Sequence, residues 1–232
     1  MSHLLGSGLP GFMEVSHFCP DSYLEKNQRE LLLAARQAQV TLTGWPIGIV
    51  LDNNHEFRPW PTSEGILAIV DARFPSSARH HFDYWTLNKG GDFYTLRSLS
   101  EDQFDEGRAR KALDFDIRIV RAVEVLLHCA NLHKSLGTDP NAQAELRIKY
   151  GGLRDRTLKS SSTRWIDYHG KNLHDNEVRV EPIRFRLGAV DAEIVSLVKK
   201  LCAPLFMIFD YTEISDEVYE QIITDFIKGR RG

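Results

Sequence analysis

The sequence lacks the features that mark most specialised classes of protein. Only three of its 232 residues are cysteines, and Cys19, Cys129 and Cys202 are too far apart to indicate a disulfide framework or a metal-binding motif. Neither sign of charge prevails, since 29 Lys and Arg oppose 32 Asp and Glu, so a chain that is basic throughout is excluded. The longest apolar run, residues 201–209, is far shorter than the roughly 20 residues that cross a bilayer. Because the N-terminus also lacks a signal-peptide pattern, we expect a cytoplasmic protein that does not enter a membrane.

Strong catalytic motifs are missing as well. The sequence contains no Gly-x-Ser-x-Gly motif and no glycine spacing of the Walker or dinucleotide-binding type. Histidine and aspartate cluster twice, at His80-His81 with Asp83 and at His169 with His174-Asp175. Adjacent histidines on a strand point to opposite faces, and the second spacing matches no common metal site, so we predict no metal and no cofactor. A non-enzymatic protein is favoured, and a metal-dependent hydrolase or nuclease that uses the second cluster is the weaker alternative.

The remaining composition is that of an ordinary globular chain, with 42% hydrophobic and 26% charged residues. Strand-like and helix-like periods do not alternate strictly, so we predict an α+β fold in which an antiparallel β-meander packs with a long central helix and C-terminal helices. Residues 1–20 have no clear period and are expected to form an irregular lead-in. We assign residues 21–232 to a single domain, in which 135–141 is the best candidate for a seam.

Capping residues and periodicity predict the individual elements. A capping box at Ser22 and Glu25 predicts a helix that begins there and ends at Gln39. The predicted strands are residues 40–51, 65–70, 82–87, 93–99, 145–150 and 178–187, the last with a slip at Pro182. The predicted later helices are residues 115–136, residues 189–209 with either a kink or a break into two helices at Pro204, and a last helix capped by Ser215.

The helix predicted at 115–136 carries polar residues every three or four positions, which indicates a single solvent-facing stripe. Its members are Arg118, Arg121, Glu124, His128, Asn131 and Ser135. We therefore interpret His128 as a surface residue. The apolar stretch 194–209 is expected to lie in the protein's own core, and a homodimer face is its alternative role.

One region is strongly basic in a chain of net charge −3. Residues 147–171 contain seven basic and two acidic residues, a local charge of +5. Arginine forks, exposed amides and hydroxyl groups suit phosphate, and a tryptophan offers a face for base stacking. The candidate ligand-binding residues are Arg147, Lys149, Gly151, Gly152, Arg154, Arg156, Lys159, Ser160, Ser161, Arg164 and Trp165. The region is predicted to bind a phosphate-bearing small ligand; direct nucleic-acid binding and a merely solvated loop are the alternatives.

Several short motifs, in order, carry a family resemblance. They are Gly44-Trp45-Pro46-Ile47-Gly48, Ser63-Glu64-Gly65-Ile66, Asp83-Tyr84-Trp85, Phe93-Tyr94-x-Leu96-x-Ser98-Leu99, Ile119-Val120-Arg121, Gly151-Gly152-Leu153 and Ala203-Pro204-Leu205-Phe206 with Phe209-Asp210. Over about residues 20–230 the chain resembles the C-terminal half of bacterial proteins that begin with an Alba-like, Schlafen-type putative DNA-binding domain.

That resemblance implies an accessory module of a bacterial regulatory or defence-type protein, with a sensory or interaction role. In such proteins the N-terminal domain is the part expected to contact DNA, and nothing in this chain matches it. A DNA-binding domain outside this chain is therefore an implied partner. The resemblance also implies that the chain is either an excised domain or a stand-alone version.

Overall fold

The structure, a computed structural model, describes residues 11–74, 79–102, 112–161 and 170–229. Its strands are β1 (Phe12–Phe18), β2 (Trp60–Pro61), β3 (Gly65–Phe74), β4 (Arg79–Asn88), β5 (Phe93–Ser98), β6 (Ala112–Asp114), β7 (Gln143–Gly151), β8 (Thr157–Lys159), β9 (Glu177–Arg179) and β10 (Ile183–Arg186). Its α-helices are α1 (Gln28–Ala38), α2 (Phe115–Ser135), α3 (Val190–Met207) and α4 (Asp216–Ile227). The predicted α+β class is confirmed.

Eight strands form one antiparallel sheet in the order β10-β7-β1-β5-β4-β3-β2, and β9 also pairs with β7. The short strands β6 and β8 pair in parallel and form a separate two-stranded sheet. Helix α2 is the centre of the helical layer, because it contacts α1, α3 and α4. The hydrophobic core combines inward strand side chains with the apolar residues of these helices. Within the described part of the chain, no helix is long and apolar enough to span a membrane.

The expected irregular lead-in is wrong for residues 12–18, which form β1 in the middle of the sheet between β5 and β7. Met13, Val15 and His17 point inward and are buried, and Cys19 continues the same alternation. Buried side chains at every second residue are typical of a strand, because successive side chains of a strand point to opposite faces of the sheet. The pattern is hard to recognise because one of its inward positions is a histidine.

The first helix begins five residues later than its predicted start. Its N-cap is Asn27, whose side chain accepts hydrogen bonds from the backbone amides of Arg29 and Glu30, while Glu30 accepts one from the Asn27 amide. The capping box is therefore real but lies at Asn27 and Glu30, since their side chains satisfy the free amides of the first turn. The strands predicted at 40–51 are also wrong, and this segment contains a 3₁₀ turn at Thr41–Thr43.

Helix α2 has its predicted position, but its polar stripe does not face solvent. Arg118, Glu124 and His128 are 2%, 0% and 1% exposed. Arg121, Asn131 and Ser135 are half-buried. The stripe faces polar groups of the sheet and its adjoining loops, which supply the hydrogen bonds and opposite charges that a buried polar side chain requires.

The predicted hairpin is confirmed, because β4 and β5 pair antiparallel and Gly91 in the connection has a φ of 90°, where glycine is favoured. The slip predicted at Pro182 is a break between β9 and β10, both of which pair with β7. Helix α3 continues through Pro204 as one helix, so the break that was one of the two predicted outcomes is wrong. The apolar stretch 194–209 contributes to the protein's own core, as expected.

Candidate functional site

The basic residues on β7 are held by carboxylates. Arg147 donates two hydrogen bonds to Glu145, which also receives Arg184. Lys149 forms an ion pair of 2.9 Å with Glu177 on β9. The contacts of Arg184 with Glu145 and of Lys149 with Glu177 join neighbouring strands, whereas Arg147 bonds to a residue of its own strand. Lys149 and Arg147 therefore have carboxylate partners within the sheet.

The two arginines that follow β7 have different environments. Arg154 is exposed and donates to the carbonyl of His174 at 3.2 Å. Arg156 is buried, and its Nη2 lies 2.6 Å from Oδ2 of Asp102. Its Nε donates to the carbonyl of Gly152, and Gly151 packs closely against the ring of Phe12. This segment is a packed turn, and Arg156 is its buried anchor.

The basic loop, the part of the basic region that follows β7 (residues 152–171), places its hydroxyl groups against the first turn of α2. Ser161 donates both its backbone amide and its hydroxyl to Asp116, and Ser160 donates to the same carboxylate. Lys159 and Lys171 are exposed and form no ion pair with a described residue. Arg164 and Trp165 lie outside the described residues, so their predicted roles stay predictions.

The histidine and aspartate clusters singled out in the sequence do not assemble a metal site among the described residues. Asp83 is buried in β4, where it accepts hydrogen bonds from the Trp45 indole and the Thr95 hydroxyl. His174 and Asp175 are exposed, and both backbone amides donate to the side chain of Asn172. His169 and the side chain of His80 lie outside the described part of the chain.

A feature not predicted from the sequence is a small cavity at which three arginine side chains meet. Strand β5 supplies Arg97, and helix α2 supplies Arg118 and Arg121, three positions apart on one helix face. The other lining residues are Met13, Ser98 and Ser100. Most of the lining surface is polar, in contrast to the apolar core that adjoins it.

Two of the arginines that line the cavity each have a buried donor atom without a hydrogen-bond partner. Arg97 is 5% exposed, and its Nη1 has no hydrogen-bond partner. Arg118 is 2% exposed, and its Nε is likewise without a partner. Leaving a buried donor unsatisfied costs about 1–3 kcal/mol, and more for a charged group. An acceptor that reached either donor would relieve such a cost.

Other donors of the three arginines are engaged in hydrogen bonds. Arg118 Nη2 donates to Glu101 at 2.9 Å and to Ser100 at 3.0 Å. Arg121 Nη1 donates to Glu124 and to the backbone carbonyl of Trp45. The same Trp45 carbonyl accepts from Arg97 Nη2 at 3.3 Å. These contacts fix the guanidinium planes, so the cavity is preorganised rather than formed from freely rotating surface side chains.

Each arginine at the cavity has one carboxylate partner, and the contact of Arg97 with Asp83 is the longest of the three. Burial, together with the nearby charge of Arg121, lowers the pKa of Arg97 to about 10. The nearest carboxylate, Asp83, lies 3.8 Å from Arg97 Nη2, and burial raises its pKa despite that contact. The effect of burial on both groups indicates that the pair is only weakly stabilised by mutual attraction. An added negative charge near Arg97 would favour its protonated form.

The cavity is narrow. Its empty volume is about 220 Å³ including its opening to solvent, below the roughly 300–1,000 Å³ of pockets that enclose a whole drug-sized ligand. The space at its base suits a group about as large as a water molecule. One oxygen of a phosphate or carboxylate group meets that limit, with the rest of the ligand outside.

The basic loop and the arginine cavity are structural neighbours. Asp102, the partner of Arg156, belongs to the 3₁₀ turn Ser100–Asp102, whose first two residues bond Arg118. Asp116, the partner of Ser161, precedes Arg118 by two positions in α2. The cavity itself was missed from the sequence because its arginines lie on separate elements and their polarity was taken as a sign of exposure.

Comparison of the chain with family models, curated proteins and solved structures finds no match. The resemblance to the C-terminal half of Schlafen-type proteins consequently stays an expectation, and functional interpretation depends on the geometry of the chain itself.

Proposed function

We propose that this protein is a non-enzymatic ligand-binding domain that recognises a phosphate-type anionic group at the arginine cavity. The observation that carries the proposal is the pair of buried, unpartnered donors, Arg97 Nη1 and Arg118 Nε, on side chains that line one cavity. Arginine suits this task because its guanidinium group stays charged and presents several donors in a fixed plane. Consistent with the resemblance, binding would serve a sensory role in a bacterial regulatory or defence-type protein.

The basic loop supports the same proposal from outside the cavity. Its exposed lysines, Lys159 and Lys171, add positive charge near the elements that hold Arg118. A local excess of positive charge raises the concentration of anions at a surface and speeds their association. The loop thus attracts the ligand, and the cavity holds its anionic group.

The first test is a titration of the purified chain with inorganic phosphate, in which the melting temperature and the heat of binding are measured. Chloride at the same ionic strength is the control salt. Phosphate is expected to raise the melting temperature of the wild-type chain. Arg97→Lys keeps the charge but removes the planar fork, and loss of one charge-assisted hydrogen bond is expected to weaken binding about tenfold. The matched control is Arg36→Lys, which alters an exposed arginine on α1 paired with Asp52.

Two results would contradict the proposal. One is a wild-type chain whose melting temperature responds no more to phosphate than to chloride. The other is an Arg97→Lys variant that has a native circular dichroism spectrum and binds phosphate as tightly as the wild type. A parallel titration with labelled oligonucleotides from low to physiological salt addresses the nucleic-acid alternative, for which affinity must fall steeply with salt.

A further inference from the structure

A second group of polar side chains lies deep in the core, between β1 and α2. His17 and Cys19 are two residues apart, so they lie on the same face of the strand segment. Cys129 and His133 are four residues apart, so they lie on the same face of α2. All four are buried, with exposed fractions of 0%, 7%, 0% and 1% in the order named.

The distances within this group resemble the edges of a metal coordination tetrahedron. His17 Nδ1 lies 3.3 Å from His133 Nε2. Two nitrogens bound to tetrahedral zinc at 2.0–2.1 Å are about 3.3–3.4 Å apart, so this edge already has the right length. One ligand atom from each of His17, Cys129 and His133 lies within 4.8 Å of the others. A side-chain rotation that moves the Cys129 sulfur by roughly 1 Å would place it about 2.3 Å from a zinc ion bound to the two histidines, the usual zinc–sulfur distance.

We propose that His17, Cys129 and His133 bind one zinc ion, and that Cys19, whose sulfur does not lie within 4.8 Å of all three ligand atoms, moves in as the fourth ligand. Thiolate and imidazole are the ligand types that zinc prefers in structural sites. Four protein ligands would leave no open position, so the ion is structural and joins the central strand to the central helix. The spacing is His-x-Cys on the strand and Cys-x₃-His on the helix.

The surroundings of the group support ligand binding. His17 Nε2 lies 3.2 Å from His128 Nδ1, so the nitrogen that would not bind zinc has the outer partner that ligating histidines usually have.

The test uses the full chain, freed of metal with a chelator and then titrated with zinc or cobalt(II). We expect one equivalent of zinc to bind and to raise the melting temperature. Cobalt(II) in the same site is expected to give a thiolate-to-metal charge-transfer band and the intense visible absorption of tetrahedral coordination. These measurements need no substitution, so they decide the proposal even if variants fold poorly.

Variants then identify the ligands. Cys129→Ser is expected to abolish the charge-transfer band or to reduce it, and to lower zinc affinity at least tenfold. Cys202→Ser is the matched control, because Cys202 is equally buried but lies on α3 against the carbonyl of Arg118. Cys19→Ser is expected to weaken zinc binding as well.

Three results would overturn the proposal. The first is a wild-type chain that binds well under one equivalent of zinc. The second is a cobalt(II) complex without the thiolate band, which would remove sulfur from the ligand set. The third is unchanged zinc affinity in a folded Cys129→Ser variant, and unchanged affinity in Cys19→Ser would overturn the assignment of the fourth ligand. Phosphate binding is measured separately, so failure of either proposal leaves the other intact.

Discussion

Replacing Arg156 by methionine is expected to destabilise the protein strongly, although Arg156 lies in a region whose charge suggests a solvated loop. The guanidinium group donates to Asp102 at 2.6 Å, to the Ala112 carbonyl at 2.9 Å and to the Gly152 carbonyl. The side chains of Arg156 and Asp102 are each 1% exposed. The variant would leave a buried carboxylate without the arginine that pairs with it and would remove one donor from each of two partly buried carbonyls.

The magnitude follows from the burial of the pair. Removing one partner of a buried ion pair costs about 3–5 kcal/mol, whereas an exposed pair contributes about 0–1 kcal/mol. Methionine keeps much of the apolar stem, so the loss is electrostatic and hydrogen-bonding rather than a large cavity. A loss of this size is a large share of the 5–15 kcal/mol by which typical domains are stable.

The assay is equilibrium unfolding in urea at pH 7, with fluorescence and far-ultraviolet circular dichroism as probes. The control is Arg154→Met, two residues away on the exposed surface, which is expected to change stability by no more than about 0.5 kcal/mol. Adding Asp102→Asn to Arg156→Met removes the uncompensated charge and is expected to restore part of the loss. An Arg156→Met variant within about 1 kcal/mol of wild type would refute the reasoning.

Two further substitutions test the packing and charge of the region around Arg156 and Asp102. Gly11→Ala is expected to lower the free energy of unfolding in urea by about 1–3 kcal/mol, because its Cβ would lie 2.5 Å from Arg156 Nη2 and 2.6 Å from Asp102 Oδ2. The control is Gly90→Ala, whose Cβ would have one side-chain atom nearby, at 3.3 Å. Equal losses of stability in the two variants would contradict the prediction. Burial and neighbouring carboxylates raise the pKa of Asp114 to about 7. The native state therefore binds the Asp114 proton more tightly than the unfolded state does. The stability that this proton contributes is lost as pH rises through 7. Asp114→Asn is therefore expected to stabilise more at pH 8 than at pH 5, and a pH-independent gain would count against this explanation.

Elements with an unbroken period could be predicted from the sequence. The hairpin of β4 and β5 follows from two aromatic, β-branched runs around Gly90 and Gly91. Helix α2 follows from its three-to-four residue spacing, and β7 from the alternation of polar and apolar residues at 145–150. Each of these elements is determined by the helix, strand or turn preference of its own residues and by a single buried face. Residues close in sequence are therefore sufficient to predict it.

The candidate sites could not be predicted in the same way, because their strands place polar residues inward. On β5 the buried positions are Phe93, Thr95 and Arg97, while Tyr94 and Leu96 lie on the more exposed face. Alternation alone therefore does not identify which residues are inside. The inward position of Arg97 depends on Asp83 across the sheet and on the Trp45 carbonyl, which are distant in sequence.

Helix α2 contributes to both proposed sites, but only the arginines of the cavity belong to its polar stripe, whereas Cys129 and His133 lie outside that stripe. A polar stripe on a helix indicates where polar partners lie, and those partners are water only when nothing else covers the helix. Here the N-terminal half directs Arg118 and Arg121 to the arginine cavity, and the C-terminal half directs Cys129 and His133 to β1. Strand β1 in turn supplies Met13 to the cavity. Because the same strand and helix contribute to both sites, a bound zinc ion would also stabilise the packing of β1 on α2 beside the arginine cavity.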